Sequence, residues 1–187
     1  GCVNCIYNCH LKPHISQLMN KHTNICLNVI LDHSRHLLNR LHDNSIDVCF
    51  SYLATNEISY KCIPYKTDEI IFVTNSQNIQ FSNGIHNGEI LHLPIIYSKF
   101  MPKSGFDWIH DIFPPHYVFQ FTISVIKEII PFLLQYPYYA FLPRKLIEKE
   151  LKDGLLIEIP LLDYHIPPLQ SYIIMKSNAK YNPLDYF

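Results

Sequence analysis

Cys2-x2-Cys5-x3-Cys9, followed at once by His10, is the densest grouping of metal-ligating and nucleophilic residue types in this sequence of 187 residues. Thiolate sulfur and imidazole nitrogen are what a zinc site uses. Such sites usually pair two Cys-x-x-Cys-like knuckles, however, or add a histidine pair at set spacing. Residues 3 to 7 read as a short strand, which would turn Cys2 and Cys5 toward opposite faces and favours packing over ligation. Cys9 with His10 is no better as a nucleophile and base, because adjacent residues cannot readily aim one side chain at the other's ring nitrogen and no third orienting group is identifiable. The expectation is therefore no catalytic residue, no metal ligand and no cofactor.

The other chemistry-bearing residues are dispersed. Of eleven histidines, His10, His14, His22, His33, His36 and His42 spread over two expected helices and their flanks, and they read mostly as solvated surface. His33 and His36 can meet on one helical turn, a spacing that arises by chance in a His-rich chain. Trp108 with Phe106 and Ile112 reads as a core face, and Lys145, Lys149 and Lys152 as a solvated helix face.

Composition narrows the class further. Hydrophobic residues make up 48% and charged residues 17% of the chain, enough apolar content for a sizeable core. With 15 Lys+Arg against 16 Asp+Glu and no basic run, the chain carries nothing to follow a phosphate backbone. The longest apolar stretches fall short of the roughly 20 residues a bilayer span needs, and no signal-peptide pattern opens the sequence. These features lead to the expectation of a cytoplasmic protein with no membrane partner and six reduced thiols.

The elements that must position these residues alternate between strand and helix, which argues a parallel or mixed sheet. Pro13 suits the first turn of a helix carrying Ile15, Leu18 and Met19. Ile25 to Leu31 reads as a buried strand, and Asp32 or Ser34 can cap a helix with Leu37, Leu38 and Leu41 on its apolar stripe. Ile46 to Leu53 is a third apolar run, and short strands at 61–64 and 68–74 follow. Asn75 to Gly88 is polar and reads as a connection. Beyond it the pattern predicts a short helix near Glu89 to Leu91, a strand at 95–98, a helix at 104–112 and a strand at 117–122. A helix at 125–135 capped by Ser124, a strand at 138–142, a helix opened by Pro143 and stopped by Gly154, and strands at 155–161 and 171–176 complete the chain.

Three stretches carry a family resemblance. Leu11-Lys12-Pro13 opens a helix, and Leu37-Leu38-Asn39-Arg40-Leu41 leads into Ile46-Asp47-Val48-Cys49-Phe50. Later come Phe141-Leu142-Pro143-Arg144-Lys145-Leu146-Ile147-Glu148 and Leu151-Lys152-Asp153-Gly154-Leu155-Leu156-Ile157-Glu158-Ile159-Pro160-Leu161. Across essentially its whole length the chain resembles the effector-binding domain of LysR-type transcriptional regulators. It departs from the pattern at Tyr136-Pro137-Tyr138, where family members carry a Gly-x-Gly turn, and at Ser45, where glycine is common.

The resemblance implies an α/β fold of two Rossmann-like lobes of the type II periplasmic-binding-protein kind, joined by two crossovers near Thr74 and Ile159. Residues 1–74 plus 160–187 would form lobe I and 75–159 lobe II. It further implies a small-molecule effector held at strand ends and helix starts facing an inter-lobe cleft, with contacts from Asn8, Cys9, His10, Ser51, Tyr52, Ser98, Lys99, Phe100 and Thr122. Lys99 and His10 favour an anion, while Tyr7, Tyr52 and Phe100 leave an apolar or aromatic effector as the alternative. The expected partners are that effector, a second copy in a homodimer or higher homo-oligomer with Ser34 to His42 at the interface, and DNA only through a helix-turn-helix domain outside this chain. Rival readings are a solute-binding protein of a transport system, against which the absent signal peptide counts, and a small enzyme on the same scaffold, against which the lack of an acid-base pair counts.

Overall fold

The structure is a computed structural model that describes residues 1–22, 24–98 and 108–179. The chain divides into two compact units, Gly1–Thr67 with Gln170–Phe187, and Asp68–Leu169.

In the first unit a three-stranded sheet runs in the order β1-β8-β2, with β1 Val48–Ser51, β2 Tyr60–Asp68 and β8 Leu169–Lys176. β1 lies antiparallel to β8, Val48 opposite Met175 and Ser51 opposite Tyr172. Pro64 falls within β2 and is tolerated because that strand is at the sheet edge, where a lost N–H is cheap. Helix α3, Ser34–His42, buries Leu37 and Leu41 and leaves Leu38 half-buried. Its N-cap is His33, without a side-chain cap: neither expected residue caps it, for Asp32 Oδ1 accepts from the His33 N–H at 2.8 Å and the Ser34 hydroxyl accepts from the Tyr52 N–H at 3.2 Å. Asn44, at φ 63°, takes the left-handed turn after α3, one residue before Ser45.

Two expectations for this unit are corrected. The strand at 3–7 shrinks to Cys2, which bridges Leu31 on one side and Phe50 on the other, both in parallel. From there the chain is helical: α1 Asn4–Ile6, a π-helical turn Tyr7–Leu11, and α2 Lys12–Lys21. Pro13 is therefore inside a helical run rather than at its start. Its ring would crowd the carbonyl four residues back, at Cys9, and the widened turn that ends at Leu11 opens that crowded stretch. Ile25 to Leu31 is neither a named strand nor buried: among the described residues it is bridged only by Cys2, and Leu27, Val29 and Leu31 are 41, 37 and 43% exposed.

The second unit is built on the sheet β6-β3-β7, in which β3 (Ile70–Asn75) is central and antiparallel to both β6 (Ala140–Pro143) and β7 (Leu156–Glu158). An apolar strand needs neighbours on both edges, and β3 finds them here, although the expected boundaries counted it with lobe I. The polar run 75–88 is also more than a connection. Ile85 within it is fully buried and pairs with Leu161, its N–H donating to the Pro160 carbonyl. A parallel pair, β4 (Ile96–Tyr97) and β5 (Phe121–Thr122), sits beside α4 (Asn87–Ile90) and α5 (Trp108–Ile112) in sequence, while residues 104–107 of the expected helix lie outside the described residues. The expected helix at 125–135 is a 3-10 turn, Ile126–Glu128, running into α6, Ile129–Gln135, and Val125 rather than Ser124 precedes it, without a side-chain cap. Pro143 ends β6 and leads into a 3-10 turn, Arg144–Ile147, then α7, Glu148–Lys152, which Gly154 stops at φ 67°. At Tyr136 the backbone is extended, so no positive φ stands where the family has its Gly-x-Gly turn.

The core of this unit is aromatic. Phe72 of β3 stacks on Tyr139 at 5.5 Å and packs on Phe141 at 4.6 Å, and Trp108 meets Phe141 edge-on at 5.2 Å. Offset and edge-to-face pairs of this kind each add about 0.5–1.5 kcal/mol beyond area burial.

Candidate ligand-contact residues

In the first unit three expected contacts share the widened helical turn. The Asn8 amide is turned back onto its own helix, donating to the Asn4 carbonyl at 2.8 Å and the Asn4 Oδ1 at 3.1 Å. Cys9 is buried against Cys5, with the sulfurs 3.9 Å apart. His10 is half-buried and meets the Tyr65 ring edge-on at 6.1 Å, and Tyr65 in turn meets Phe50 at 5.3 Å. Ser51 and Tyr52 follow at the end of β1. The Ser51 hydroxyl is fully buried and accepts from the Leu53 N–H at 2.9 Å, closing the turn after the strand. Tyr52 is buried, and its backbone N–H donates to Ser34.

The fold thus gathers His10, Tyr65 and Phe50 into one aromatic cluster, with the Lys66 ammonium 5.5 Å from the centre of the Tyr65 ring. Sequence reasoning missed Tyr65 and Lys66. The expected strand at 61–64 stopped one residue short of them; carried on to Asp68, its alternation would have brought both in.

In the second unit Ser98 follows directly on β4, and Thr122 lies in β5 opposite Tyr97. The two strands are held in register by the Ile123 N–H donating to the Tyr97 carbonyl at 2.9 Å. Tyr97 stacks on Phe119 at 4.3 Å, and burial pushes its phenol up from the ordinary range. Ser98 is only 4% exposed, and among the described residues its hydroxyl has no hydrogen-bond partner. Thr122 is exposed. The expected contacts Lys99 and Phe100 lie outside the described residues.

A hydroxyl buried without a partner costs free energy, on the order of 1–3 kcal/mol, unless something satisfies it. Ser98 is therefore the expected contact with the clearest unmet demand. Cavities lie elsewhere: an open depression of about 750 Å³ lined by Leu91, Pro94, His116, Tyr117 and Gln120, one of about 460 Å³ lined by Asn78, Phe81, Glu89, Pro137 and Tyr139, and one of about 300 Å³ lined by Leu11, Leu27, Asn28, Asp47 and Phe50. None of them includes any of the seven expected contacts that are described. Among the described residues no group of three or more His, Cys, Asp or Glu side chains is arranged to hold a metal ion, and no helix is long and apolar enough to cross a membrane.

Comparison with known proteins agrees with this architecture. A full-length OxyR variant from Pseudomonas aeruginosa superposes with a TM-score of 0.72 at 12% identity, covering 100% of this chain and 64% of that one. The CrgA regulatory domain of Neisseria meningitidis, a LysR-type transcriptional regulator, superposes with a TM-score of 0.76 at 12% identity, covering 97% of this chain and 89% of that domain. The BenM effector binding domain with its effector benzoate gives 0.69 at 16% identity, covering 100% and 86%. At such identities the likeness is one of fold, and the chain spans under two thirds of the full-length OxyR and BenM proteins. No curated protein matches the sequence. Residues 1–184 match the LysR substrate binding domain, and the chain belongs to that family.

Proposed function

We propose that this chain is the ligand-sensing part of a LysR-type transcription factor, which binds a small-molecule effector and passes its occupancy to a DNA-binding domain outside this chain. The reading rests on family membership over residues 1–184. The single structural observation that supports its binding role is the buried hydroxyl of Ser98, just after β4, which has no hydrogen-bond partner among the described residues. Effector contacts are assigned to Ser98 and Thr122, with Lys99 and Phe100 beside them, and to Asn8, Cys9, His10, Ser51 and Tyr52.

The proposed effector is a small carboxylate or inorganic anion, for which the hydroxyl donor of Ser98, the Lys99 ammonium and the imidazole N–H of His10 are suited partners. BenM, which shares the fold, has benzoate as its effector, so aromatic acids belong in the first screen. Sensing needs no bond to form or break. An effector that favours one conformation shifts its population, and the size of the response is bounded by the difference in affinity between states. The proposed assembly is a homodimer.

The test is a thermal-shift screen of benzoate, other small carboxylates and inorganic anions on the wild type and on Ser98→Ala. A ligand at a hundred times its Kd stabilises the chain by about 2.7 kcal/mol. Loss of a hydrogen bond to a charged ligand costs roughly 1.5–3 kcal/mol, tenfold or more in Kd. A hit whose stabilisation is unchanged in Ser98→Ala would move the site elsewhere.

A further inference from the structure

We propose that Cys5 and Cys9 form an oxidisable thiol pair that closes to an intrachain disulfide. None of the six cysteines is in a disulfide, and the sulfurs of this pair lie 3.9 Å apart. The two residues stand four apart on one continuous helical run. At the α-helical rise, four residues separate the Cα atoms by roughly 6 Å, within the ~4.4–6.8 Å that a disulfide spans. The π-helical turn Tyr7–Leu11, which holds Cys9, has a smaller rise per residue and brings the pair closer along the axis. Cβ atoms four residues apart on a helix stand roughly 5–6 Å from each other, more than the ~3.5–4.5 Å across a disulfide, so closing the sulfurs to ~2.05 Å also requires the turn between Cys5 and Cys9 to distort.

The step balances with a peroxide as oxidant. Cys9 is 6% exposed and Cys5 is fully buried, so Cys9 meets the oxidant first. Its thiolate attacks a peroxide oxygen, the O–O bond breaks, and one water leaves as Cys9 becomes a sulfenic acid. The Cys5 sulfur then attacks the Cys9 sulfur, expelling a second water, so that two thiols and one hydrogen peroxide give one disulfide and two waters. Asn8 falls inside the loop that the bridge would close, Cys9 is one of its ends and His10 adjoins it, so oxidation would alter the segment that supplies three proposed effector contacts. The bridge itself does not depend on the effector reading.

The experiment treats the folded wild-type chain with hydrogen peroxide, quenches with acid, alkylates in denaturant and maps the fragments. We expect a form two hydrogens lighter in which Cys5 and Cys9 are joined and unlabelled, with both labels restored by dithiothreitol. Exposed Cys26 serves as the internal reference for oxidant exposure. In Cys5→Ser the sulfenic acid on Cys9 has no resolving thiol and is trapped by dimedone. The proposal is overturned if Cys5 and Cys9 are both fully alkylated after Cys26 has been oxidised, if the bridge maps to any other pair, or if wild-type Cys9 runs on to the sulfinic acid with Cys5 still reduced. The wild-type map decides the matter even if the variant does not fold.

Discussion

His86 and Asp163, 77 residues apart in sequence, meet through the imidazole Nδ1, which lies 2.9 and 3.1 Å from the two carboxylate oxygens, while the Asn87 N–H donates to the same carboxylate at 3.0 Å. The contact joins the start of α4 to the chain that follows β7. The hydrogen bond to Asp163, then its charge, raises the His86 pKa, and the hydrogen bonds from His86 and from the Asn87 N–H hold Asp163 below the usual carboxylate range.

The signs of these shifts fix a pH window. The raised His86 value contributes stability that is complete below the ordinary imidazole pKa and is lost as the pH rises through the folded value. The lowered Asp163 value contributes stability that is present above the ordinary carboxylate pKa and is lost as the pH falls through the folded value. Both are therefore in force between about pH 4 and pH 6.5. The difference in Tm between wild type and Asp163→Asn should be largest in that window, shrink toward pH 9, and be reduced by salt because both groups are exposed. A difference that does not vary with pH would mean that the pair contributes only a neutral hydrogen bond.

Two glycines with positive φ should respond differently to substitution. At Gly154, φ 67°, an added Cβ meets nothing within 4 Å, so Gly154→Ala carries only the backbone cost of the left-handed region, roughly 1–2 kcal/mol, and Gly154→Asn recovers part of it. At Gly84, φ 114°, the Cβ would stand 2.6 Å from Leu162 Cδ2 and 3.1 Å from the Pro160 carbonyl oxygen. Denaturant unfolding should give the larger loss for Gly84→Ala, and equal losses would show that the chain around Leu162 gives way without cost.

Phe72→Ala removes the ring on which Tyr139 and Phe141 pack at the centre of the β6-β3-β7 sheet. The expected cost is about 3–5 kcal/mol. Ile58→Ala, at a side chain 97% exposed, should stay within about 0.5 kcal/mol of wild type. Chemical denaturation of the two variants side by side tests the assignment of the core.

The places where sequence reasoning succeeded and failed have physical causes. β3 and β6 were legible because Ile70 to Val73 and Ala140 to Leu142 are short, fully buried apolar runs that pair with each other, β3 as the central strand of its sheet. The helical start at Asn4 was not legible, since Val-Asn-Cys-Ile-Tyr has β-forming composition and the turn that decides the matter is a widened one, made before an interior proline. Nor was the exposure of residues 25–31: alternation of Leu27, Val29 and Leu31 signals a face that wants burial and does not say that the burying partner is within the same chain. Among the candidate contacts, Ser98 was proposed from its place after an expected strand, which is β4 in the structure, whereas Tyr65 depended on how far β2 extends past Pro64. No local pattern announces that.

That exposed segment bears on assembly. Leu27, Val29 and Leu31 alternate along an extended backbone that is bridged on one side only at Cys2, and α3, the proposed dimer helix, follows it directly. Single exposed apolar residues are ordinary, but three in alternation on an unpaired edge form the kind of surface that a second copy covers. Leu37 and Leu41 cannot test the interface, because they are core residues and their loss would unfold the first unit. Val29 and Leu31 can. The double substitution Val29→Lys and Leu31→Lys places like charges on the edge at little cost to the folded protomer, so its Tm at low protein concentration should stay near that of the wild type. Sedimentation velocity should show the wild type as a dimer that the double variant converts to monomer. A wild type that remains monomeric at high concentration would remove the dimer from the proposed function. A double variant that remains dimeric would place the interface on another face.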